Sequence, residues 1–250
     1  MIILGKKAKK LKTEIMGVQI SADSRQQLLS VAMDLIKTGG LIVTPNAEML
    51  YLARRDAAFR GILNSADIAL PDGAGTVLAG KILKRPPLTK IAGVEFALEL
   101  CQLLAKENRS LYILGGKPGV AEKAGDNLAR RFSGLRICGT AHGFYENQTE
   151  ALAAVKAAKP DCVFVCLGFP LQEAVASQLD GTLALCLGGS ADIYAGNSRR
   201  APSWMIRLNL EWLYRLLQDP KRWKRMLTLP LFVAECFLER RRNHGKTHSD

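Results

Sequence analysis

The chain has 250 residues, 48% of them hydrophobic, which excludes a disordered tail and suffices for one α/β domain with an appendage or for two small domains. Lys+Arg 35 against Asp+Glu 23 leaves a formal net charge of +12, which calls for an anionic partner: nucleic acid, anionic lipid or a diphosphate ligand. The short apolar start followed by lysines lacks the apolar core of a signal peptide, and no apolar run reaches about 18 residues, so the chain is expected neither to cross a membrane nor to leave the cell unaided.

In chain order, residues 1–14 form a basic arm with Lys6, Lys7, Lys9, Lys10 and Lys12. Ile15 to Ile20 predicts a short strand, and Ser24 to Lys37 a helix that carries Leu28, Val31, Ala32, Leu35 and Ile36 and stops at Gly39-Gly40. Leu41 to Thr44 is a buried strand ending at Pro45-Asn46. A helix follows through Leu63, and Ile68 to Leu70 is a strand ending at Pro71-Asp72-Gly73. Apolar strands at 111–114, 135–138, 162–167 and 183–187 then alternate with helices such as Val120 to Phe132 and Thr149 to Ala158. This alternation implies an α/β fold, a doubly wound, largely parallel sheet over residues 15–198, whose ligands sit where loops leave the carboxyl ends of the strands. The six cysteines, Cys101, Cys138, Cys162, Cys166, Cys186 and Cys236, show no zinc-type pairing and read as reduced core thiols. After Gly196 a basic helical appendage, residues 199–250, holds 12 Lys and Arg against 5 Asp and Glu. Its last helix, Leu229 to Arg242, sets Leu231, Phe232, Phe237 and Leu238 among its apolar positions and ends in arginines, a pattern suited to a membrane surface.

Five strand-end loops carry the candidate chemistry. Gly115-Gly116-Lys117-Pro118-Gly119 offers bare backbone N–H groups, a helix start and the Lys117 charge to a diphosphate, or it is a tight turn; it is neither GxGxxG nor a P-loop. Asp72, held in a Pro-Asp-Gly turn, suits a general base or plain turn chemistry. Thr44 and Asn46 suit sugar hydroxyls or an amide, Asn46 being equally a helix cap. Gln172 and Glu173 place an amide and a carboxylate at the mouth of the sheet, where Glu173 also complements a helix dipole. Asp192, after Gly188-Gly189, meets a base or ribose, or caps a helix. In the appendage, Arg215, Arg222 and Arg225 beside Trp204, Trp212 and Trp223 suit phosphates near a membrane interface, or form a solvated basic face. A regulatory module binding nucleotide or RNA is the rival reading, yet no recognised RNA or DNA module is present. A nicotinamide oxidoreductase is disfavoured, because the glycine loop falls mid-chain with no acidic residue about 20 positions on at a strand end.

Thr44-x-Asn46, Leu70-Pro71-Asp72-Gly73, Leu114-Gly115-Gly116-x-Pro118-Gly119, Gly168-x-Pro170-x-Gln172-Glu173 and Arg200-Ala201-Pro202 through Arg225 occur in that order. With Leu210-Glu211-Trp212-Leu213-Tyr214-Arg215-Leu216 and Pro220-x-Arg222-x-x-Arg225, the chain resembles the WecG/TagA/CpsF glycosyltransferase family over about residues 15 to 228. The resemblance implies an inverting transfer of N-acetylmannosamine or a related sugar from a UDP-sugar to the 4-hydroxyl of N-acetylglucosamine-diphospho-undecaprenol. It implies no metal and no cofactor; no DxD motif stands at these strand ends, and protein cations would stabilise the leaving group. Asp72 takes the role of base, and Thr44, Asn46 and Gln172 line the sugar pocket. Gly115, Gly116, Lys117, Gly119 and Asp192 fall at the nucleotide, while Arg215, Arg222 and Arg225 meet diphosphates. Lys90 stands where the family usually has Arg, keeping the charge and losing the bidentate fork. The implied setting is cytoplasmic and peripheral on the inner face of the membrane, with an appendage that would be masked in a homo-oligomer.

Overall fold

The computed structural model describes residues 11–145, 148–220, 223 and 227–246. Lys6, Lys7, Lys9, Lys10, Arg222 and Arg225 lie outside the described residues. The expected strand from Ile15 to Ile20 is instead a β-hairpin of β1 (Lys12–Ile15) and β2 (Val18–Ser21), paired antiparallel with Ile15 opposite Val18. Met16 and Gly17 form its two-residue turn with φ of 53° and 81°, the backbone that a tight hairpin requires. An apolar Met in a position usually held by Asn or Asp hid the turn from periodicity. The hairpin also takes in Lys12, so the basic arm ends earlier than residue 14.

Helix α1 (Arg25–Leu35) starts at a capping box in which Ser24 and Gln27 satisfy each other's backbone N–H groups. It leads to β3 (Gly40–Val43). The single helix expected through Leu63 is two, α2 (Ala47–Ala53) and α3 (Ala57–Ser65), because the Asp56 side chain accepts from Phe59 N at 2.9 Å and caps a second start. Then follow β4 (Ile68–Ala69), α4 (Gly73–Ile82), α5 (Gly93–Lys106), β5 (Ser110–Gly115), α6 (Val120–Arg131) and β6 (Arg136–Ala141). The remainder is α7 (Gln148–Ala158), β7 (Cys162–Cys166), α8 (Leu171–Ala176), β8 (Leu183–Cys186), α9 (Ser190–Tyr194), α10 (Ser203–Arg207), α11 (Glu211–Gln218) and α12 (Thr228–Lys246).

Six strands form one parallel sheet in the order β4-β3-β8-β7-β5-β6. Period-two alternation divides its side chains between two cores. In β7, Cys162, Phe164 and Cys166 face the core shared with α1, α5, α6 and α9, while Val163 and Val165 face the core shared with α2, α3, α8 and α12. Five of the six cysteines are buried thiols; Cys138, on the edge strand β6, is exposed, contrary to the expectation of a core position.

Helix α12 is docked on this core. Phe232 and Cys236 of α12 are buried, and Cys236 Sγ lies 4.0 Å from Met16 Sδ at the hairpin turn. Arg54, at the end of α2, pairs with Glu235 at 2.9 Å and Glu239 at 2.7 Å, and Arg55 pairs with Glu235 at 2.7 Å. The apolar residues singled out on the last helix divide: Phe232 packs inward, while Leu231, Phe237 and Leu238 are exposed. No described helix is long and apolar enough to cross a membrane.

Candidate active site

The loops after β3 and β8, strands that are neighbours in the middle of the sheet, open the crevice where a doubly wound sheet takes its ligands. The buried Thr44 hydroxyl donates to Cys186 O at 3.1 Å and ties those strand ends together. Thr76 Oγ1 lies 3.0 Å from both Pro45 O and Asp72 O, fixing the start of α4 to the β3 loop. Ile91 N donates to Pro71 O at 3.1 Å and brings in the segment that carries Lys90.

Two cavities open at these ends, of about 590 and 600 Å³. The first runs between α4 and α12, with Val77 and Leu78 facing Leu229, Phe232 and Val233, and Trp212 across its side. The second is polar and follows the sheet past Thr44, Gln172, Gly188, Asp192, Asn197 and Arg199. Asn46, Glu48, Asp72, Glu211 and Arg215 line both. Asp72 therefore stands on the wall between two compartments of opposite character.

Asp72 occupies the N-cap position of α4, yet its side chain makes no capping bond there. Burial pushes its carboxyl up from an ordinary 3.8 to about 6, although it still reaches the cavities. Arg215 and Lys90 oppose that rise and Glu211 adds to it. The same Glu211 carboxylate gathers cations around the site: Arg215 at 3.3 Å, Lys90 at 3.6 Å and Arg200 at 3.8 Å. Arg200 also pairs with Glu95 at 2.7 Å, and through Arg25 the network reaches Glu99. A carboxylate that titrates near neutrality, ringed by fixed cations, can accept a proton beside a departing phosphate.

Gln172 and Glu173 take different places from those their shared loop suggested. Gln172 is 2% exposed and lines the polar cavity, its Oε1 accepting from Gly188 N at 2.7 Å. Glu173 is 0% exposed and lines neither cavity; its Oε1 accepts from Gln172 Nε2 at 2.7 Å, while Oε2 is buried with no hydrogen-bond partner among the described residues. Burial pushes Glu173 up to about 6. It reaches a ligand only through Gln172.

Asn46 is a cap and a cavity residue together: its Oδ1 accepts from Glu48 N at 3.0 Å and Met49 N at 3.1 Å. Asp192 lines the polar cavity, and its carbonyl accepts from Asn197 N at 2.9 Å and Ser198 N at 3.0 Å, shaping the next loop. The loop of Gly115, Gly116, Lys117 and Gly119 lines neither cavity. Its first glycine has a packing reason: at φ +136°, a Cβ there would lie 2.2 Å from Cys166 O. The sequence alone assigns no role to Glu211, Arg200 or Gly188, nor to Lys81, which lines the first cavity. Glu211 and Arg200 stand within the quoted motifs, but an ion network between segments of the chain leaves no spacing to read. Among the described residues no group of three His, Cys, Asp or Glu side chains is placed to hold a metal ion.

Known proteins add the context. A protein of Bacillus spizizenii (strain ATCC 23059 / NRRL B-14472 / W23), named N-acetylglucosaminyldiphosphoundecaprenol N-acetyl-beta-D-mannosaminyltransferase, is 36% identical over 214 residues, covering 84% of this chain and 83% of its own. Proteins of the same name from Bacillus subtilis (strain 168) and Staphylococcus aureus (strain MW2) are 35% and 30% identical, covering 81% and 92% of this chain and 81% and 94% of their own. The profile of the Glycosyl transferase WecG/TagA/CpsF family matches residues 13–246, which takes in the sheet, both cavities and the docked helix α12. On that match and those relatives, the chain belongs to the WecG/TagA/CpsF family and is a glycosyltransferase.

Proposed function

We propose that this chain transfers N-acetylmannosamine or a related sugar from a UDP-sugar to the 4-hydroxyl of N-acetylglucosamine-diphospho-undecaprenol, with inversion and without a metal, in the synthesis of a teichoic acid-like envelope polymer. The observation that carries the reading is the place of Asp72 on the wall shared by a polar and an apolar cavity, with Lys90 and Arg215 near it. The names of the relatives supply the sugar and the lipid-linked acceptor. In this mechanism the donor lies in the polar cavity, held by Thr44, Asn46, Gln172 and Asp192. The acceptor oxygen attacks the anomeric carbon from the face opposite UDP, its proton passes to the Asp72 carboxylate, and the bond to UDP breaks with its electron pair on the departing phosphate. Arg215, Lys90 and Arg200 offset the charge that develops there, so no metal is required. Arg222 and Arg225 would extend that set of cations.

The chain is placed by this reading at the inner face of the membrane. In support, Trp204, Trp212, Trp223, Leu227 and Leu231 are exposed in a basic part of the chain, and indole and arginine favour the headgroup layer. The test is a screen of UDP-sugars against a diphospholipid-linked N-acetylglucosamine, with and without a chelator. UDP release with UDP-N-acetylmannosamine, undiminished by chelator and lost in Asp72→Asn while UDP still binds, is the expected result. Full activity of Asp72→Asn would remove Asp72 from the role of base.

A further inference from the structure

The apolar cavity includes Asp72, the base of the proposed reaction, yet much of its wall is apolar side chains of α4 and α12. Its lining joins the polar and charged Asn46, Asp72, Lys81, Lys90, Glu211 and Arg215 to the apolar Val77, Leu78, Trp212, Leu229, Phe232 and Val233. At about 590 Å³ the volume falls within the range of small-ligand sites, roughly 300–1,000 Å³. Leu78 is 44% and Trp212 43% exposed, so the apolar end is open to entry from outside. A free sugar or nucleotide would leave this apolar wall unmatched, and a plain hydrocarbon would make no use of Lys90 and Arg215, which Glu211 holds beside it.

We infer that this cavity is a binding site for the isoprene units nearest the diphosphate of a polyprenyl-diphosphate acceptor. The assignment rests on the proposed reaction, and it adds to it a location for the lipid. The sugar lies against Asp72, the diphosphate against Lys90 and Arg215, and the first isoprene units lie between α4 and α12, with the rest of the tail leaving past Leu78 and Trp212. The enzyme then grips part of the lipid itself instead of relying on the bilayer to present the headgroup. The two cavities share Asn46, Glu48, Asp72, Glu211 and Arg215, so in this arrangement the acceptor hydroxyl and the donor carbon would meet at that common wall.

Isothermal titration of the full chain with farnesyl diphosphate, held below its micelle concentration, and with inorganic diphosphate tests this without donor or turnover. Farnesyl diphosphate is expected to bind roughly ten-fold or more tightly than inorganic diphosphate, as burial of several CH₂-sized groups requires. The double variant Leu78→Gln, Val233→Gln, with its fold checked by circular dichroism, is expected to bring that ratio close to one. Equal affinity of the two ligands for the unaltered chain, or an undiminished preference in a folded double variant, would overturn the assignment. A chain that transfers sugar yet shows no prenyl preference keeps the reaction and loses this site; a chain with the preference and no transfer does the reverse.

Discussion

Asp72 offers the sharpest test of the mechanism, because its raised carboxyl value enters both rate and stability. With the carboxyl at about 6, roughly a tenth of the molecules carry the ionised base at pH 5, so kcat/KM should fall to about a tenth of its plateau there. An unperturbed carboxyl at 3.8 would keep more than about nine tenths at the same pH. Glu173 also titrates at about 6, so the profile is measured in parallel on Glu173→Gln, in which the acid limb should stay where it is. The stability arm has a definite sign. Burial raises the folded value above the unfolded one, so the folded state favours the proton. The contribution is fully present below about pH 4 and is lost as the pH rises through about 6. About two units correspond to roughly 3 kcal/mol, which access of solvent through the cavities reduces to roughly 1–3 kcal/mol. Asp72→Asn, neutral throughout, should therefore be inactive yet more stable than the parent at pH 8 by that amount, with the gain gone by pH 4. Urea denaturation at the two pH values measures it. An acid limb centred near 4, or a variant no more stable at pH 8 than at pH 4, would refute the account of Asp72.

Other expectations concern the groups around it. Glu211→Gln should release Lys90, Arg200 and Arg215 and tighten binding of inorganic diphosphate about three- to ten-fold at low salt, with the gain shrinking at high salt; titration at two ionic strengths reads this. Glu173→Ala should leave the Gln172 amide without its acceptor and loosen the Gly188 contact, raising KM for the donor about five-fold or more with less effect on kcat, while Glu173→Gln retains an acceptor and most of the affinity. Arg54→Ala removes a partner of Glu239 and one of the two arginines that pair with Glu235, in a partly buried place, and should cost about 1–3 kcal/mol, seen as a lower thermal midpoint and as faster proteolysis of α12.

Much of the sheet was legible because its strands are continuous apolar runs between helical repeats, a signal that depends only on neighbours in sequence. Predicted strands at 162–167 and 183–187 match β7 and β8 to within a residue at their ends. Local signals failed where local chemistry was atypical. Met16 concealed a hairpin turn, and Asp56 divided a helix whose apolar pattern runs on through the break. That Asp72, Thr44, Asn46, Gln172 and Asp192 share one cavity could be anticipated, because all stand in loops at strand ends, where such folds open a crevice. The glycine loop stands at a strand end too, but there Gly115 makes room for the neighbouring strand. Glu211 became visible only in three dimensions, since its importance lies in cations drawn from the loop before α10, the α4–α5 loop and α11. The same holds for Phe232, whose inward face depends on where α12 lands.

The shared wall has a consequence for the order of events. Glu211 faces both cavities and holds Lys90 and Arg215 in ion pairs. In the proposed reaction a diphosphate entering either cavity must part those pairs, and the cost falls on the first ligand to bind. Where the two ligands draw on different cations of the set, the second is spared that cost, and donor and acceptor are thermodynamically linked, each raising the other's affinity by the same factor. Such linkage would weaken the hold on a donor alone and limit the waste of an activated sugar on water.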